Sequence, residues 1–537
     1  MIKKVIWIIV LFPLFVNGQL TNDWINYDQN YFKFPISEDG VYRIEFQQLI
    51  NAGMNINLLD DPRNFQIFAK GRELPIYVKG ESDGSFDSGD YIEFYAEKNS
   101  GWYDHSLFSD SVDVFNPFVS IFTDTLYHFL TWNTSVNNFR LKDEVDLDFN
   151  SYTPSDYYWK EILYTDDNFF NLGRKTSSGT PVPEYSRGEG RFMAEIWADR
   201  QKQYPYPSDP MNTSNAFESG PDGWVKVEFV GLQGDEQKVN VFVNDSLIYD
   251  ETEPSYSNVF VESSIPAKFW KDQTDIIVKH IEDGNYNYID DHINKIGLAY
   301  IQIRYPKTFN MNGKSDAVMY VPSGSESKDL LVIENYDNLN STVRLYDLTN
   351  GYRVQVQPLS GKYYALLPNE GNERKCYLTT ELAVKNVSGI TSVSSGSSKF
   401  IDYEDLITQK GDVDFLLLTS NKLISAANEY IEYRESKGLK SLVFDMDQLY
   451  NQFSYGIRKH PMAIRSLADA IVNYWGFEPK YLFLCGKSMT SDKTSVRFGD
   501  QFEENIVPTW SVLGSDVGFT AGLKPQSIIN PDIPTFL

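Results

Sequence analysis

The chain has 537 residues, of which 42% are hydrophobic and 23% charged, and its formal net charge at pH 7 is −26. This length and composition exclude a disordered protein and exceed what a single hydrophobic core accommodates, so we expect several domains. The negative charge would repel a phosphate backbone, which excludes nucleic acid as a partner. Two cysteines, Cys376 and Cys485, are too few for a small disulfide-linked scaffold.

The first twenty residues, MIKKVIWIIVLFPLFVNGQL, have the three parts of a secretory signal peptide. Lys3 and Lys4 form the charged part, residues 5–16 the apolar part, and the small residue Gly18 precedes a cleavage point before Gln19. The apolar run is shorter than the roughly 20 residues of a membrane-spanning helix, and no later stretch is long and apolar enough to span. We therefore predict an exported protein with no transmembrane helix after cleavage.

The first part of the mature chain is predicted to be β-structure. GVYRIEF and YIEFYAE alternate as half-buried strands do. Ahead of the second stretch, DGSFDSGD places Asp83, Ser85 and Asp87 at alternate positions, as calcium loops do. An EF-hand loop has glycine at its sixth and a carboxylate at its twelfth position, where this sequence has Ser88 and Phe94. We interpret the stretch as a turn, keep calcium as the alternative, and predict no other cofactor.

The strand pattern continues to about residue 390. WVKVEFVGL, KVNVFVND and IGLAYIQIRYP indicate a β-sandwich or jelly roll, and STVRLYDLTNGYRVQVQPL predicts a hairpin around Asn350-Gly351. NVSGITSVSSGSSKF is rich in serine and glycine and is interpreted as a linker. The predicted division is a signal peptide 1–18, an N-terminal β domain 19–145, a β-sandwich domain 146–310, a small β domain 311–390, a linker 391–411, and an incomplete α/β domain 412–537.

After the linker the pattern changes to alternating strands and helices. DFLLLTS, LKSLVFDM and YLFLCGK are apolar runs typical of strands buried on both faces. The segment between the first two predicts a helix with Ser420 as N-cap and Gly438 at its end. A second helix is predicted with Pro461 in its first turn and Gly476 at its end. The order strand, helix, strand, helix, strand predicts parallel strands in a doubly wound α/β domain.

Sites in such domains lie at the carboxyl ends of the strands. Those ends are Thr419–Ser420, Asp445 and Gly486–Lys487. No P-loop, nucleophile-elbow or dinucleotide motif accompanies them.

The sequence assigns no catalytic, cofactor or metal residue. Cys485 and His460 would form a cysteine–histidine dyad if they met, but Cys485 lies in an apolar strand and His460 precedes a proline at a helix start, so we interpret both as structural. Asp516, in GSDVGFTAGL, is interpreted as a turn residue. The remaining histidines lack metal-ligand spacing: His105, His128, His280 and His292.

An ordered set of segments resembles the gingipain-type cysteine peptidases, whose domain is caspase-like. The segments are DFLLLTS, ANEYIEYRESKGLKSLVFD, IRSLADAIVNYWGFEPKYLFLCGK, VPTW, SDVGFTAGL and NPDIPTFL. Three N-terminal segments are similar to one branch of that family, the type IX secretion sortases: GVYRIEFQQL, DGSFDSGDYIEFYAEKNSGWYD and FTDTLYHFLTW.

The resemblance implies an exported enzyme at the outer membrane, cell surface or periplasm, with protein cargo and outer-membrane secretion components as partners. Such sortases remove the C-terminal sorting domain of cargo and can transfer the cargo to a surface lipopolysaccharide. The family has Gly-Asp where this chain has Gly486-Lys487. Its catalytic His-Gly segment and catalytic cysteine match no residue here, so no catalytic residue is carried over.

Two alternatives stay open on the sequence: a secreted β-rich adhesion or carbohydrate-binding protein, and a non-catalytic secretion assembly factor on the same scaffold. The ending INPDIPTFL resembles a strand that is just beginning, and from it we expect the chain to be a fragment that lacks the catalytic half. The expected fold is an all-β N-terminal region of β-sandwich or jelly-roll type followed by an incomplete α/β caspase-like domain.

Overall fold

The structure is a computed structural model that describes residues 21–110, 113–175, 180–198, 209–234, 236–281, 294–394, 396–411, 413–492 and 496–523. The signal-peptide prediction and the final segment PDIPTFL lie outside the described residues. Within the described ranges, no helix is long and apolar enough to cross a bilayer.

The strands up to residue 281 are β1 (Tyr31–Ile36), β2 (Gly40–Glu45), β3 (Phe65–Ala69), β4 (Arg72–Leu74), β5 (Tyr77–Lys79), β6 (Tyr91–Ala96), β7 (Leu126–Trp132), β8 (Lys142–Glu144), β9 (Tyr158–Thr165), β10 (Phe169–Leu172), β11 (Glu189–Phe192), β12 (Ala194–Trp197), β13 (Met211–Asn212), β14 (Gly223–Gly231), β15 (Gln237–Val243), β16 (Ser246–Glu253), β17 (Asn258–Ile265), β18 (Gln273–Thr274) and β19 (Ile276–Ile281). The later strands are β20 (Lys295–Lys307), β21 (Ala317–Val321), β22 (Lys328–Ile333), β23 (Val343–Asp347), β24 (Tyr352–Gln355), β25 (Gln357–Leu359), β26 (Lys362–Pro368), β27 (Arg374–Thr380), β28 (Lys385–Asn386), β29 (Thr391–Ser392), β30 (Phe415–Thr419), β31 (Ser441–Asp445) and β32 (Tyr481–Leu484). The helices are α1 (Phe46–Asn51), α2 (Tyr403–Lys410), α3 (Ile424–Ser436), α4 (Met446–Phe453), α5 (Met462–Asp469) and α6 (Gly499–Glu504).

Two facing sheets form the first β unit, in the orders β29-β1-β7-β3-β4 and β28-β2-β6-β5. The predicted alternation determines which side chains face inward: Phe34 from β1 and Phe94 from β6 meet at 5.7 Å between ring centroids inside one apolar core. The all-β N-terminal region expected from the sequence is confirmed.

One large mixed sheet then carries most of the remaining β-structure. Its order is β17-β14-β20-β9-β21-β27-β23-β24-β8, with β12 also paired to β20. Two smaller sheets, β16-β15-β19 and β22-β26-β25, pack on it around separate apolar cores. The predicted hairpin at Asn350-Gly351 is present as β23 and β24. The large sheet therefore continues across residue 310, the boundary predicted between two domains, because β9 pairs with β20 on one side and β21 on the other.

The segment 391–411, interpreted above as a linker, contains ordered elements. β29 pairs with β1, and Asp402 caps the N-terminus of α2 by accepting a hydrogen bond from the Asp405 N–H at 3.0 Å. A serine- and glycine-rich composition indicates a turn-rich connection but does not reveal a strand that is stabilised by a partner more than 350 residues away.

The last region is a three-stranded parallel sheet, in the order β31-β30-β32, with helices on both faces. The expected strand–helix succession is therefore confirmed. α4 and α6 add helices beyond the two that the sequence predicted. The predicted N-cap at Ser420 is wrong: its hydroxyl is buried and makes no capping bond, because a short 3-10 turn separates it from α3.

Candidate functional site at the carboxyl edge of the parallel sheet

The parallel register brings the three predicted strand ends to one edge of the sheet. Thr419 lies opposite Asp445, and the Thr419 hydroxyl donates to the Cys485 carbonyl at 2.7 Å just beyond β32. The Asp445 carboxylate accepts the Asp447 N–H at 3.2 Å and so caps α4. Burial, with the nearby charge of Asp447, raises the pKa of Asp445.

A rim of charged residues surrounds this edge. Arg458 pairs with Glu503 at 2.9 Å and with Asp447 at 3.6 Å. The Lys459 ammonium donates to the Asn505 carbonyl at 2.5 Å, and burial lowers the pKa of this lysine to about 8. These contacts bind α6 and the segment after it over the strand ends.

Lys487, which stands where the resembled family has aspartate, is exposed in this rim. Its ammonium pairs with Glu504 at 2.6 Å. Lys487 therefore forms an ion pair with α6, and this position contributes no carboxylate to the carboxyl edge of the sheet.

His460 is fully buried on the side of the sheet that faces the N-terminal β unit. Its ring lies against Tyr103 and Phe122, with centroids 4.9 and 4.7 Å away. Nδ1 accepts the Met462 N–H at 3.2 Å, and Nε2 lies 3.4 Å from the Asp104 carboxylate. Burial lowers the pKa of His460, and Asp104 opposes that shift.

Cys485 lies in a different environment. It is half-buried in the apolar cluster beneath α3, with Phe415, Leu417, Ala427 and Ile431. Since the contacts of His460 come from the N-terminal β unit and from its own helix, the structure does not assemble a dyad from the two residues. Cys376 is fully buried, and burial raises the pKa of its thiol.

The other residues considered on the sequence are scattered. Asp83 and Asp90 accept backbone N–H groups within the turn at 83–90, each at 2.9 Å. His128 and His280 are buried, and His105 contacts the Trp102 carbonyl. Asp516 precedes a short turn at the surface, and His292 lies outside the described residues. Across the described ranges, no group of three or more His, Cys, Asp or Glu side chains could hold a metal ion.

Residues that join the β region to this site were not recognised in the sequence. The Arg497 guanidinium, 3% exposed, bridges Asp124 at 2.6 Å and Asp167. Arg191 donates to the Ser491 carbonyl at 2.5 Å. These partners are separated by about 300 residues or more, so no local pattern in the sequence signals them.

Residues 408–535 match the family described as Peptidase family C25. This match supports the resemblance of the segment to the gingipain-type peptidases. No curated protein sequence matches the chain at a significant level. Among solved structures, the chain is similar to dimeric latent PorU from Porphyromonas gingivalis, with a TM-score of 0.56 and 14% identity over 94% of this chain and 47% of that chain. It spans about half the length of that structure.

A further similarity is too low to carry an argument: FMN-binding β-glucuronidase from Facaelibacterium prausnitzii L2-6, at a TM-score of 0.11 and 14% identity, over 33% of this chain and 26% of that chain. The fold shared with PorU covers the β region as well as the gingipain-type segment. The charged edge and the buried interface described above therefore belong to a β region and a peptidase-type segment that occur together in a known fold.

Proposed function

We propose that this chain supplies the β region and the leading part of the peptidase domain of an exported cysteine peptidase of the type IX secretion sortase kind. The enzyme would remove C-terminal sorting domains from exported cargo and transfer the cargo to a surface lipopolysaccharide. Its partners would be cargo proteins and outer-membrane secretion components, and it would act at the outer membrane.

The observation that carries the proposal is the joint occurrence of two features in one chain. A gingipain-type segment lies at residues 408–535, and a fold like that of PorU extends over 94% of the chain. An adhesion protein with an aromatic-rich β region has no evident need for three parallel strands packed onto that region, so this feature favours the peptidase over the adhesion alternative.

The described part of the site supports a positioning role for these residues. At the carboxyl edge, Asp445 holds a backbone turn, and Arg458 and Lys459 hold α6. Within the described residues, Cys485 and His460 have separate surroundings. We therefore propose that the described residues of the parallel sheet and its helices shape the edge on which cleavage occurs and that this chain by itself cleaves no peptide.

A deletion strain tests the cellular role. Loss of the gene should leave exported cargo with its C-terminal sorting domain attached, and the complete reading frame should restore cleavage when it is returned. Mass spectrometry of cargo from the cell envelope measures the C-terminus directly. Cargo that is processed normally in the deletion strain would refute the sortase proposal.

The purified chain tests the second part of the proposal. It should release no product from a peptide that spans a sorting-domain junction, with or without iodoacetamide. Activity that iodoacetamide abolishes, and that Cys485→Ala also abolishes, would assign catalysis to this chain and overturn the positioning role. Cys376→Ala is the matched control, since that thiol is fully buried.

A further inference from the structure

The large sheet ends at β17 on one side and at β8 on the other, and the two edge strands differ in length and composition. β8 has three residues and begins with Lys142, whereas β17 has eight residues, of which none is lysine or proline. β17 pairs with β14 without a register shift from Asn258 to Ile265. Short strands, lysine, proline and bulges are common means of protecting a sheet edge from further pairing. β17 has none of these four features.

The hydrogen bonds to β14 determine which backbone groups of β17 point away from the sheet. The Gly231 N–H donates to the Ser257 carbonyl at 3.0 Å, one residue beyond the pair of Val230 and Asn258. Because hydrogen-bonded and non-hydrogen-bonded pairs alternate in an antiparallel ladder, the odd-numbered residues of β17 bond to β14 and the even-numbered residues direct their backbone groups outward. The Arg187 guanidinium agrees with this direction, since it donates to the Asn258 carbonyl at 3.3 Å from a loop outside the sheet.

Beyond Asn258, three residues present free backbone groups on this edge. Phe260, Glu262 and Ser264 are all exposed, Phe260 to 49%. Within the described part of the chain, no group bonds to the outward N–H and C=O groups of these three residues. A further strand would therefore gain main-chain hydrogen bonds at each of them, as in strand addition to an open sheet edge.

The charge at the middle of this edge disfavours a second copy of the chain as the occupant. Two β17 strands that paired antiparallel through the same three residues would place Phe260 opposite Ser264 and Glu262 opposite its own counterpart. Like charges directly opposite each other destabilise a strand pair. The Glu262 carboxylate is half exposed and pairs with Lys226 at 3.5 Å on the other side, so it can accept a second cation.

The surroundings of the edge are acidic as well. β16, the edge strand of the smaller sheet, contacts β17 and exposes Asp250 and Glu251. A strand with a cation at the position facing Glu262 would be attracted by this carboxylate. We propose that β17 binds an extended polypeptide of another protein by antiparallel strand addition, with a lysine or arginine of that polypeptide opposite Glu262. Main-chain hydrogen bonds at residues 260–264 supply affinity, the carboxylate supplies selectivity, and neither depends on the proposed peptidase activity.

Fluorescence anisotropy of the purified chain with designed peptides tests this proposal. The probe is a labelled seven-residue peptide that alternates valine and threonine and has lysine at its centre. It should bind about fivefold or more tightly than the same peptide with glutamate at its centre, because the central side chain lies opposite Glu262. A third peptide, N-methylated at the residues that would donate to β17, should not bind. No binding of the lysine peptide at about 1 mM, or equal binding of the N-methylated peptide, would overturn the proposal.

Variants of Glu262 separate the role of the backbone from that of the charge. Glu262→Pro removes an outward N–H that β14 does not use, so the sheet should form while peptide binding falls by about tenfold or more. Glu262→Thr keeps the N–H and should abolish only the preference for lysine over glutamate, and Glu262→Lys should reverse that preference. Circular dichroism verifies folding, and the threonine and lysine variants decide the proposal even if the proline variant is unstable. An unchanged preference in both would refute the assignment.

Sedimentation velocity of the chain without peptide tests a second copy as the occupant. The unchanged chain and Glu262→Pro should show the same distribution of species, because like charges oppose the pairing of two β17 strands. A dimer that Glu262→Pro dissociates would assign the edge to a second copy and would overturn the proposal.

Discussion

The β region and the gingipain-type segment differ in how they bury their apolar surface. In the β region, sheets face each other around closed cores, and residues such as Phe34, Leu345 and Met319 are completely buried. In the gingipain-type segment the edge strand β32 leaves Tyr481 51% exposed and Phe483 40% exposed. The sequence predicted strands buried on both faces here; within the described residues this holds for β30 but not for β32.

The contact between the two regions is polar as well as aromatic. The side-chain amides of Gln448 and Asn451, both on α4, donate to the Val393 carbonyl. The Lys33 ammonium donates to the Asn451 amide oxygen at 3.4 Å. Arg497 bridges across to Asp124 in the same interface. Hydrogen bonds of this kind contribute modestly in net terms but are costly to leave unmade. From this comparison we expect the β region to be stable by itself and the gingipain-type segment to depend on the β region.

The largest expected effect comes from breaking the core of the dependent region. Leu449→Ala removes a fully buried side chain from α4 and should lower the free energy of unfolding of that segment by about 3–5 kcal/mol. Hydrogen exchange should accelerate in α4 and β31 and stay unchanged in β23 and β27. The matched variant Leu345→Ala, in the β region, should accelerate exchange in both regions. The same exchange pattern in the two variants would mean that the regions unfold as one unit.

Acid should act on the β region through a buried histidine. Burial lowers the pKa of His128 from 6.5 to about 4, so the unfolded state takes up a proton at a higher pH than the folded state does. Stability from this group is present above pH 6.5 and is lost as the pH falls through 4, by about 3 kcal/mol at pH 4. His128→Phe keeps a ring in place and should make urea unfolding between pH 7 and pH 4 less pH-dependent by that amount. Parallel pH profiles for the two proteins would contradict this assignment.

The interface arginine should have a smaller effect that is confined to one region. Arg497→Leu leaves Asp124 and Asp167 without their partner, but both carboxylates reach solvent, so we expect a loss of about 2 kcal/mol. Limited proteolysis should then cut the gingipain-type segment first. Arg304→Leu removes an arginine that bridges Glu161 and Glu373 inside the β region and is the matched control. If both variants gave the same cleavage sites, Arg497 would have no special role in docking.

The sequence predicted what depends on local pattern. Alternation indicated the β region, apolar runs indicated β30 and β31, and Asn350-Gly351 indicated a hairpin. α4 was missed because its polar residues, Gln448, Asn451 and Gln452, are buried by contact with another region rather than by its own sheet. The closeness of Lys160 and Lys307 was missed for the same reason, since the two residues come together only through strand pairing over about 150 residues. Tertiary contacts of this kind leave no periodic signal.

The smallest expected energetic effect concerns the two thiols, which report separately on the two regions. Cys376 is fully buried among strands of the β region, and Cys485 is half-buried beneath α3. Each should react with a maleimide through opening of its own region, so Cys485 should be labelled much faster in mild urea. Cys485→Ala should cost about 1 kcal/mol, because it removes one sulfur from a partly exposed site.

The variant His460→Ala distinguishes a purely structural role of Cys485 from a role in a catalytic dyad with His460. It removes a ring from the interface, next to Tyr103 and Phe122, and should therefore loosen the docked segment and increase the labelling rate of Cys485. A dyad requires the opposite, because loss of an activating imidazole would slow the reaction of the thiol. Rates measured by mass spectrometry for both cysteines in one experiment make Cys376 the internal control. A slower Cys485 with an unchanged Cys376 would show that the two residues cooperate in solution.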